Sequence, residues 1–365
     1  MAAHGADIIP LAERHTLKSK VLDEQRSYLV WRPEGYDPNT AYPVLYLLDG
    51  VDHLMYIGGI VDYLQFFGRI PPMLIVAIEN TNRNLNFTPP SPEPNTGGAE
   101  RFLRFIENEL ITDVEKQYKT RPYRLLVGHS HGGLFTIYTL LYKPRTFNAY
   151  IAFSPTLWWN EGSLLKKAET ITPELKELPI DLFFSVGNEE SDMVGSALKL
   201  ATLLEESVPW EDHLKEYPLR WNYRQYVDET HMSTGLPTII EGLRAIFNDW
   251  QINDPVQVYE YGGFAALQKH YQKVSDRMGY EVPIPYSTLT ELAQIYSKRQ
   301  RLDDAELVMQ KAVELYPDNV YARYGLARVY VRKDEKEKAV QLLEEVLKSI
   351  PSFEAAKKLL SDLNQ

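Results

Sequence analysis

Five short apolar segments, each closed by a turn, constrain the fold of this chain more than any other feature of its sequence. They are residues 43–50, 73–80, 123–128, 149–155 and 180–187. Segments of this length and composition are typical of strands that are buried on both faces. Helical periodicity appears between and after them, at residues 99–118, 132–142 and 192–206. Short buried strands that alternate with helices indicate a mainly parallel sheet with helices on both faces, which is an α/β fold.

Two flanking regions extend the predicted sheet. Residues 20–32 alternate as antiparallel strands do, and residues 219–227 predict a last strand before a last helix at 234–250. In mainly parallel sheets, ligands bind at the carboxyl ends of the strands. The candidate functional residues below all follow predicted strands, so we expect them to meet at one edge of the sheet.

The C-terminal part of the chain contains a repeat. Leu292–Tyr296 and Leu326–Tyr330 have similar sequences and lie 34 residues apart, as do the pairs Ala305/Ala339 and Pro317/Pro351. A 34-residue period is that of a tetratricopeptide repeat, which is a pair of helices. The sequence therefore predicts an α/β domain at 1–254, a bridging helical segment at 255–285, and tetratricopeptide-like repeats with a closing helix at 286–365.

The acidic charge of the chain lies in its α/β region. Residues 255–365 carry 16 basic and 16 acidic side chains, so the first 254 residues hold the whole net charge of −11. Nucleic-acid binding needs a basic surface, so we expect no nucleic-acid partner. No apolar run approaches the ~20 residues of a membrane-spanning helix, so we expect no membrane partner either.

Several kinds of site are excluded or disfavoured by residue usage. The chain has no cysteine, which excludes disulfides, thiolate metal sites and cysteine nucleophiles. Its His, Asp and Glu residues show no metal-ligand spacing, and no phosphate-binding loop is present, so we predict no metal and no cofactor. The first residues lack a signal-peptide pattern. We expect a cytoplasmic protein if Met1 is the native start, and a periplasmic one if a signal peptide has been removed.

Ser130 is the candidate nucleophile. It lies at the centre of Gly128-His129-Ser130-His131-Gly132, between a predicted buried strand and a predicted helix. That strand–serine–helix context is what a nucleophile elbow requires, and a short Gly-x-Ser-x-Gly match without it has little meaning. The sequence therefore predicts a strained, exposed serine at the end of a central strand.

A serine hydroxyl needs a base, and His231 is the candidate. It follows the last predicted strand and precedes the last helix, which is the position of the base in the hydrolase order serine, acid, histidine. His129 and His131 are too close to Ser130 in sequence to reach its hydroxyl, while His53 follows the first strand on the correct edge. The other histidines are expected at the surface, namely His4, His15, His213 and His270.

The acid is expected after the strand at 180–187. Glu189, Glu190 and Asp192 all lie there, and neighbouring side chains at a strand end point in different directions. We favour Glu190 as the partner of His231, with Glu189 as the alternative and Asp192 third. The acid would fix the tautomer of the imidazole and stabilise its protonated form.

Two backbone N–H groups are predicted to hold the oxyanion of the reaction, those of His131 and Val51. His131 follows the nucleophile, and Val51 lies in the loop after the strand at 43–50. Three side chains at neighbouring strand ends are candidates for substrate binding. Trp158 and Trp159 would form an apolar wall, and Arg83 would hold an anionic group or form a salt bridge.

These motifs resemble, in order, those of the putative esterase (esterase D) family of α/β-hydrolases. The stretches are YPVLYLLDG, GHSHGG, SPTLWWN, VGNEES and THMSTGLP, and they cover about residues 18–252. SPTLWW and the strand end IENTNR are similar to the enterochelin-esterase-like (IroE-like) branch. The resemblance implies an α/β-hydrolase fold and serine carboxylesterase chemistry, with Ser130, His231 and Glu190 or a neighbour as the triad. The tetratricopeptide part is not in the minimal family pattern.

The sequence leaves three functions open. The main hypothesis is a cofactor-independent serine hydrolase of small-molecule carboxylic esters, acting through an acyl-enzyme. A narrower alternative is an esterase for a siderophore trilactone, although the acidic domain disfavours a trianionic ferric complex. A third is a scaffold whose repeats bind a partner and whose hydrolase domain is vestigial. Because two repeats are fewer than the three usually needed for stability, we expect them to support a homodimer or to bind a protein partner.

Overall fold

The structure is a computed structural model that describes residues 11–170, 175, 177–208 and 219–364. The chain divides into two compact units, Met1–Gln251 and Ile252–Gln365. The first is an α/β unit and the second is all-helical. The predicted bridging segment at 255–285 falls within the helical unit.

The first unit is built on a sheet of eight strands in the described residues. In chain order the strands are β1 (Glu13–Ser19), β2 (Glu24–Trp31), β3 (Tyr42–Leu47), β4 (Leu74–Ile78), β5 (Thr120–His129), β6 (Ala149–Phe153), β7 (Ile180–Val186) and β8 (Leu219–Gln225). Their spatial order is β1-β2-β4-β3-β5-β6-β7-β8. Pairing is antiparallel for β1–β2 and β2–β4 and parallel from β4 to β8. The mainly parallel sheet predicted from the apolar segments is confirmed.

Helices connect the strands on both sides of this sheet. They are α1 (Gly50–Phe66), α2 (Arg83–Phe87), α3 (Ala99–Phe105), α4 (Ile111–Gln117), α5 (His131–Tyr142), α6 (Trp159–Ala168), α7 (Ser191–Ser207) and α8 (Gly235–Ile246). A π-helical turn, Ile106–Leu110, joins α3 to α4, so the predicted helix at 99–118 is continuous but bulged. The strands β3, β4 and β6 carry only buried apolar side chains, and β7 and the second half of β5 carry mostly such side chains, because helices cover both faces of the sheet.

The N-terminal hairpin differs from the prediction. His15 was expected in an irregular surface arm, but it lies in β1 and is half-buried. Its Nε2 hydrogen-bonds with the Tyr118 hydroxyl at 2.7 Å, and its ring stacks on Tyr28 at 5.2 Å. The residues of β1 are mostly polar, so they show no apolar alternation. This strand forms because β2 supplies a complete antiparallel partner.

The connection between β5 and α5 depends on close backbone contact. A Cβ placed on Gly128 would lie 2.3 Å from the carbonyl oxygen of Gly132 and 2.7 Å from Thr136 Oγ1. Only glycine at this position lets the end of β5 approach the first turn of α5. This contact forces the chain through a sharp reversal at Ser130, the residue between strand and helix.

The helical unit contains the predicted repeat. Its helices are α9 (Pro255–Met278), α10 (Tyr286–Lys298), α11 (Leu302–Leu315), α12 (Val320–Arg332), α13 (Lys336–Ser349) and α14 (Glu354–Leu363). The repeated small residues Ala293, Ala327, Ala305 and Ala339 are buried between neighbouring helices, as the repeat requires. α9 is kinked at Gly262 and Gly263, where the backbone leaves helical geometry.

We predict that Gly128→Ala lowers the free energy of unfolding by about 3 kcal/mol, because the new Cβ overlaps backbone atoms that cannot move aside. Thermal and urea unfolding would measure the change. The control is Gly59→Ala in α1, where a Cβ meets nothing within 4 Å. That variant is expected to be neutral or slightly more stable. Equal unfolding free energies for the two variants would contradict the close approach.

Candidate active site

Ser130 lies on a strained turn between β5 and α5. Its backbone angles are φ 57° and ψ −116°, a region that residues with a side chain rarely adopt. Its N–H donates to the Phe153 carbonyl at 3.0 Å, and its own carbonyl accepts from Leu134 N–H at 2.8 Å. These bonds hold the turn on both sides. The sequence-based prediction of a strained serine at this position agrees with the observed geometry.

His231 forms a short contact with a carboxylate. Its Nδ1 lies 2.6 Å from Glu189 Oε2, and the Glu189 side chain is only 4% exposed. Glu189 also accepts hydrogen bonds from Ser154 Oγ at 2.5 Å and from Gly187 N–H at 2.8 Å. The carboxylate is therefore fixed by three donors, and it orients the imidazole through Nδ1.

The preference for Glu190 as the acid is wrong. Glu190 is exposed and occupies the N-cap position of α7, while Asp192 is exposed in the first turn of that helix. Glu189 is turned inward because Gly187, just after β7, packs directly against the Glu229 carbonyl, and Asn188 N–H donates to the same oxygen at 2.6 Å. The alternative acid, Glu189, is thus the one that meets His231.

The hydrogen bonds to Glu189 decide its ionisation. Burial alone raises the pKa of this carboxyl, but the donors His231, Ser154 and Gly187 outweigh burial and lower the pKa overall. The group is therefore ionised near neutral pH and can only accept hydrogen bonds. Neutral His231 then carries its proton on Nδ1, which leaves the lone pair of Nε2 free to accept a proton.

The two histidines that flank the serine have other roles than that of base. Burial lowers the pKa of both His129 and His131 to about 4, so both are neutral at neutral pH. His131 Nδ1 hydrogen-bonds with Thr156 Oγ1 at 2.8 Å, and the His131 ring meets the edge of Trp159 at 5.3 Å. His129 Nε2 lies 2.8 Å from the backbone oxygen of His231. The structure thus keeps both imidazoles engaged with neighbouring groups.

No hydrogen bond joins the Ser130 hydroxyl to the His231 imidazole in the part of the chain that the structure describes. Catalytic contacts of this kind are often long without substrate and shorten in the complex. The two residues are nevertheless linked, since His129, next to Ser130, has its ring centroid 4.7 Å from that of His231.

Arg83 forms an ion pair rather than an open anion site. Its Nε and Nη2 lie 2.9 and 3.2 Å from the two carboxylate oxygens of Asp49, and its Nη2 also donates to the His129 carbonyl at 3.0 Å. Asp49 is buried, has a left-handed backbone, and accepts a further hydrogen bond from Asn80. The pair ties together the ends of β3, β4 and β5, which supports the salt-bridge alternative for Arg83.

The predicted oxyanion donors lie at helix starts. Val51 is in the first turn of α1, two residues after the ion-paired Asp49, and His131 is the first residue of α5. The N–H groups of a first helical turn lack partners within the helix, so both are available to a ligand. Their role remains a prediction, and their placement at neighbouring strand ends fits it.

The two tryptophans differ in burial: Trp158 is a rim residue and Trp159 is a core residue. Trp158 is 44% exposed, and its Nε1 donates to the sulfur of Met193 at 2.9 Å. Trp159 is 7% exposed and packs against His131. Trp158 is therefore accessible to a substrate, whereas Trp159 belongs to the hydrophobic core and also packs on the imidazole of His131.

Three supporting residues were not identified from the sequence. Ser154 and Thr156, after β6, hold Glu189 and His131, and Asp49 holds Arg83. Each is polar and almost fully buried. Their position at the ends of β6 and β3 was the available signal, because polar residues at buried strand ends commonly serve a site.

The remaining histidines do not enter this arrangement. His53 of α1 is half-buried near His129 and Phe153, and its Nδ1 lies 3.2 Å from the Tyr56 hydroxyl. His4 and His213 lie outside the described residues. In the described ranges, no group of three His, Asp or Glu residues is arranged to hold a metal ion, and no helix is long and apolar enough to cross a membrane.

Comparison with known families identifies the α/β unit. The family model described as "Putative esterase" matches residues 19–228, more than half of the chain. The chain belongs to this esterase family. A tetratricopeptide repeat model matches residues 296–363.

Two of the relatives of this chain are esterases named for siderophores. Ferri-bacillibactin esterase BesA of Bacillus subtilis is 31% identical over 262 residues, which cover 64% of this chain and 88% of the relative. Siderophore triacetylfusarinine C esterase of Aspergillus fumigatus is 25% identical over 296 residues, or 66% of this chain and 95% of the relative. The solved structure of an IroE-like serine hydrolase from Shewanella oneidensis is 28% identical, with a TM-score of 0.69 over 83% of this chain and 99% of that one.

These findings confirm the predicted α/β-hydrolase fold, the tetratricopeptide repeats and a serine esterase activity. The similarity to the IroE-like branch is confirmed as well.

We predict that Glu189→Gln lowers kcat of the esterase about 10³-fold, because the amide no longer stabilises the protonated imidazole or fixes its tautomer. Glu190→Gln is the matched control, since it changes the neighbouring exposed carboxylate. That control is expected to keep kcat within about twofold, in the range of surface substitutions. Steady-state hydrolysis of a p-nitrophenyl ester measures both. A larger loss for Glu190→Gln than for Glu189→Gln would contradict the observed pairing.

Proposed function

We propose that this esterase hydrolyses carboxylic esters through an acyl-enzyme on Ser130, with His231 as base and Glu189 as the orienting acid. Ser130 Oγ attacks the ester carbonyl carbon, and its proton passes to His231 Nε2. The tetrahedral intermediate collapses when His231 returns this proton to the leaving alcohol. A water molecule then attacks the acyl group with His231 again as base, which releases the carboxylic acid and restores the serine.

The observation that carries this proposal is the Glu189–His231 contact beside a strained serine. A buried carboxylate 2.6 Å from Nδ1 leaves Nε2 as the basic nitrogen. Ser130, at φ 57°, is presented at the end of the central strand β5. Base, orienting acid and nucleophile follow three different strands, β8, β7 and β5, whose carboxyl ends lie at one edge of the sheet.

The oxyanion of the intermediate is proposed to bind the N–H groups of His131 and Val51. The Asp49–Arg83 pair supports both donors, because Asp49 lies two residues before Val51 and Arg83 binds the carbonyl of His129. The Asp49–Arg83 pair therefore keeps the N-termini of α1 and α5 at a fixed position relative to each other. Donors fixed in this way stabilise developing charge without reorganisation.

For the substrate, we propose an ester bond of a siderophore or a siderophore fragment. The names of BesA and of the Aspergillus enzyme support this class. The negative charge of the α/β domain favours a metal-free siderophore or a siderophore fragment over a trianionic ferric complex. The first 254 residues carry the whole −11, and the Arg83 guanidinium beside the site is already paired with Asp49. Trp158 offers an exposed ring on which an aromatic acyl group can pack.

We predict that Ser130→Ala and His231→Ala each reduce ester hydrolysis about 10⁴-fold or more, because nucleophile and base act as one unit. The double variant is expected to be no worse than either single one. Hydrolysis of a p-nitrophenyl ester by the full chain measures all three. Full activity in Ser130→Ala would overturn the mechanism and favour the scaffold hypothesis, in which the hydrolase domain is vestigial.

Substrate charge is tested separately. We predict a higher kcat/KM for a metal-free catecholate trilactone than for the same lactone loaded with Fe³⁺, since the ferric complex adds negative charge near an acidic domain. Product release followed by chromatography gives both values. Hydrolysis of neutral p-nitrophenyl esters together with no hydrolysis of either lactone would remove the siderophore proposal and leave the esterase mechanism standing.

A partner for the helical unit is proposed from its groove. The unit has a cavity of about 470 Å³ along α10 and α12. Its lining includes Lys298, Arg328 and Arg332, which form no ion pair in the described chain, and contains no acidic residue. Tyr286, Tyr321 and Tyr324 line the same cavity. We propose that this groove binds an acidic, extended protein segment; a second copy of this chain is the competing occupant.

We predict that a fluorescein-labelled peptide rich in Glu binds the full chain with an affinity that falls as salt rises. The double variant Arg328→Glu and Arg332→Glu is expected to weaken binding at least tenfold. Lys358→Glu, an exposed change on α14 outside the groove, serves as the control. Fluorescence anisotropy gives the affinities, and light scattering reports self-association. Equal affinities in all three proteins would contradict the groove assignment.

A further inference from the structure

The imidazole of His129 contacts the backbone of the proposed base. His129 Nε2 lies 2.8 Å from the carbonyl oxygen of His231. A carbonyl oxygen only accepts hydrogen bonds, so Nε2 must carry the proton and donate it. His129 directly precedes Ser130 in the chain. One residue therefore joins the nucleophile, through its peptide bond, to the base, through its side chain.

The ring of His129 is held on its other sides. It stacks on Phe153 with a centroid distance of 4.8 Å and an interplanar angle of 13°, and it meets the His53 ring edge-on at 5.6 Å. His129 is 6% exposed. A ring fixed in this manner cannot turn away from the His231 carbonyl, so its hydrogen bond is directed to one place.

We infer that His129 is a positioning residue, which holds the backbone of the His231 loop so that the imidazole of His231 faces Ser130. This inference rests on the proposed function, and it gives the base His231 a second structural support besides Glu189. Glu189 fixes the His231 side chain at Nδ1, while His129 fixes the main chain of the same residue. The His231 carbonyl also accepts a longer hydrogen bond from Thr234 Oγ1 at 3.4 Å, so the shorter bond from His129 is the one that reaches this carbonyl from outside the loop after β8.

The charge state of His129 suits this role. Burial lowers the pKa of His129 to about 4; the hydrogen bond to the His231 backbone opposes this shift, and His231, His53 and Arg83 add to it through their charges. His129 therefore stays neutral through the pH range in which a histidine base works. It adds no positive charge next to His231, so the base keeps its ability to accept a proton.

The test compares two substitutions at position 129. His129→Gln keeps an N–H donor at about the reach of Nε2, whereas His129→Phe keeps the flat ring but removes the donor. We expect His129→Phe to lower kcat about 10- to 100-fold with KM nearly unchanged, the size of effect expected when a catalytic group is displaced by about 1 Å. His129→Gln should restore kcat to within about fivefold of the original protein.

His53→Phe is the matched control. It changes another imidazole, half-buried, whose ring contacts are with Tyr56, His129 and Phe153. Phenylalanine keeps the ring that meets His129 edge-on. This variant is expected to keep kcat within about threefold. Melting temperatures of all variants separate a general loss of stability from a change in positioning. The inference is overturned if His129→Phe keeps full kcat, or if His129→Gln and His129→Phe lose kcat equally.

The outcome separates this inference from the proposed function. Full activity in His231→Ala would remove His231 as the base, whatever the variants of His129 do. An inactive His231→Ala together with a fully active His129→Phe would remove only the positioning role. The rate of labelling of Ser130 by a fluorophosphonate gives a second readout, since it depends on the base but requires no turnover.

Discussion

The close approach of β5 and α5 is the constraint on which the rest of this active site depends. Gly128 allows the strand end to touch the first turn of the helix, and the chain reverses at Ser130 with φ 57°. The reversal presents the serine above the sheet edge and starts α5 with free N–H groups. It also directs the His129 side chain into the protein, where it reaches the backbone of the proposed base.

Buried polar residues then connect the neighbouring strand ends to this turn. On one side, the Asp49–Arg83 pair reaches the His129 carbonyl. On the other side, Ser154 and Gly187 fix Glu189, which orients His231. An unpaired charge in such a location would be costly, so each charged group is matched by several partners. Reactive and supporting residues thus form one hydrogen-bonded layer along the carboxyl edge of the sheet.

The sequence predicted the parts of this arrangement that depend on chain order. Buried strands, the turn at Ser130 and the position of His231, the proposed base, follow from apolar periodicity and motif position. It did not predict which of Glu189 and Glu190 turns inward, because that depends on the packing of Gly187 against the Glu229 carbonyl, 42 residues away. The strand containing His15 was missed for a related reason: its polar sequence has no apolar period, and pairing with β2 decides its structure. Tertiary contacts of this kind leave no local pattern in the amino-acid sequence.

Trapping the acyl-enzyme tests the proposed role of Ser130 most directly. The full chain is mixed with p-nitrophenyl acetate, quenched within milliseconds, and analysed by intact mass and by peptide mapping. An acyl-enzyme on Ser130 gives a burst of p-nitrophenol equal to the enzyme concentration and an acetyl group on the peptide that contains Ser130. Release of p-nitrophenol without a burst or an adduct, or an adduct on another residue, would contradict it.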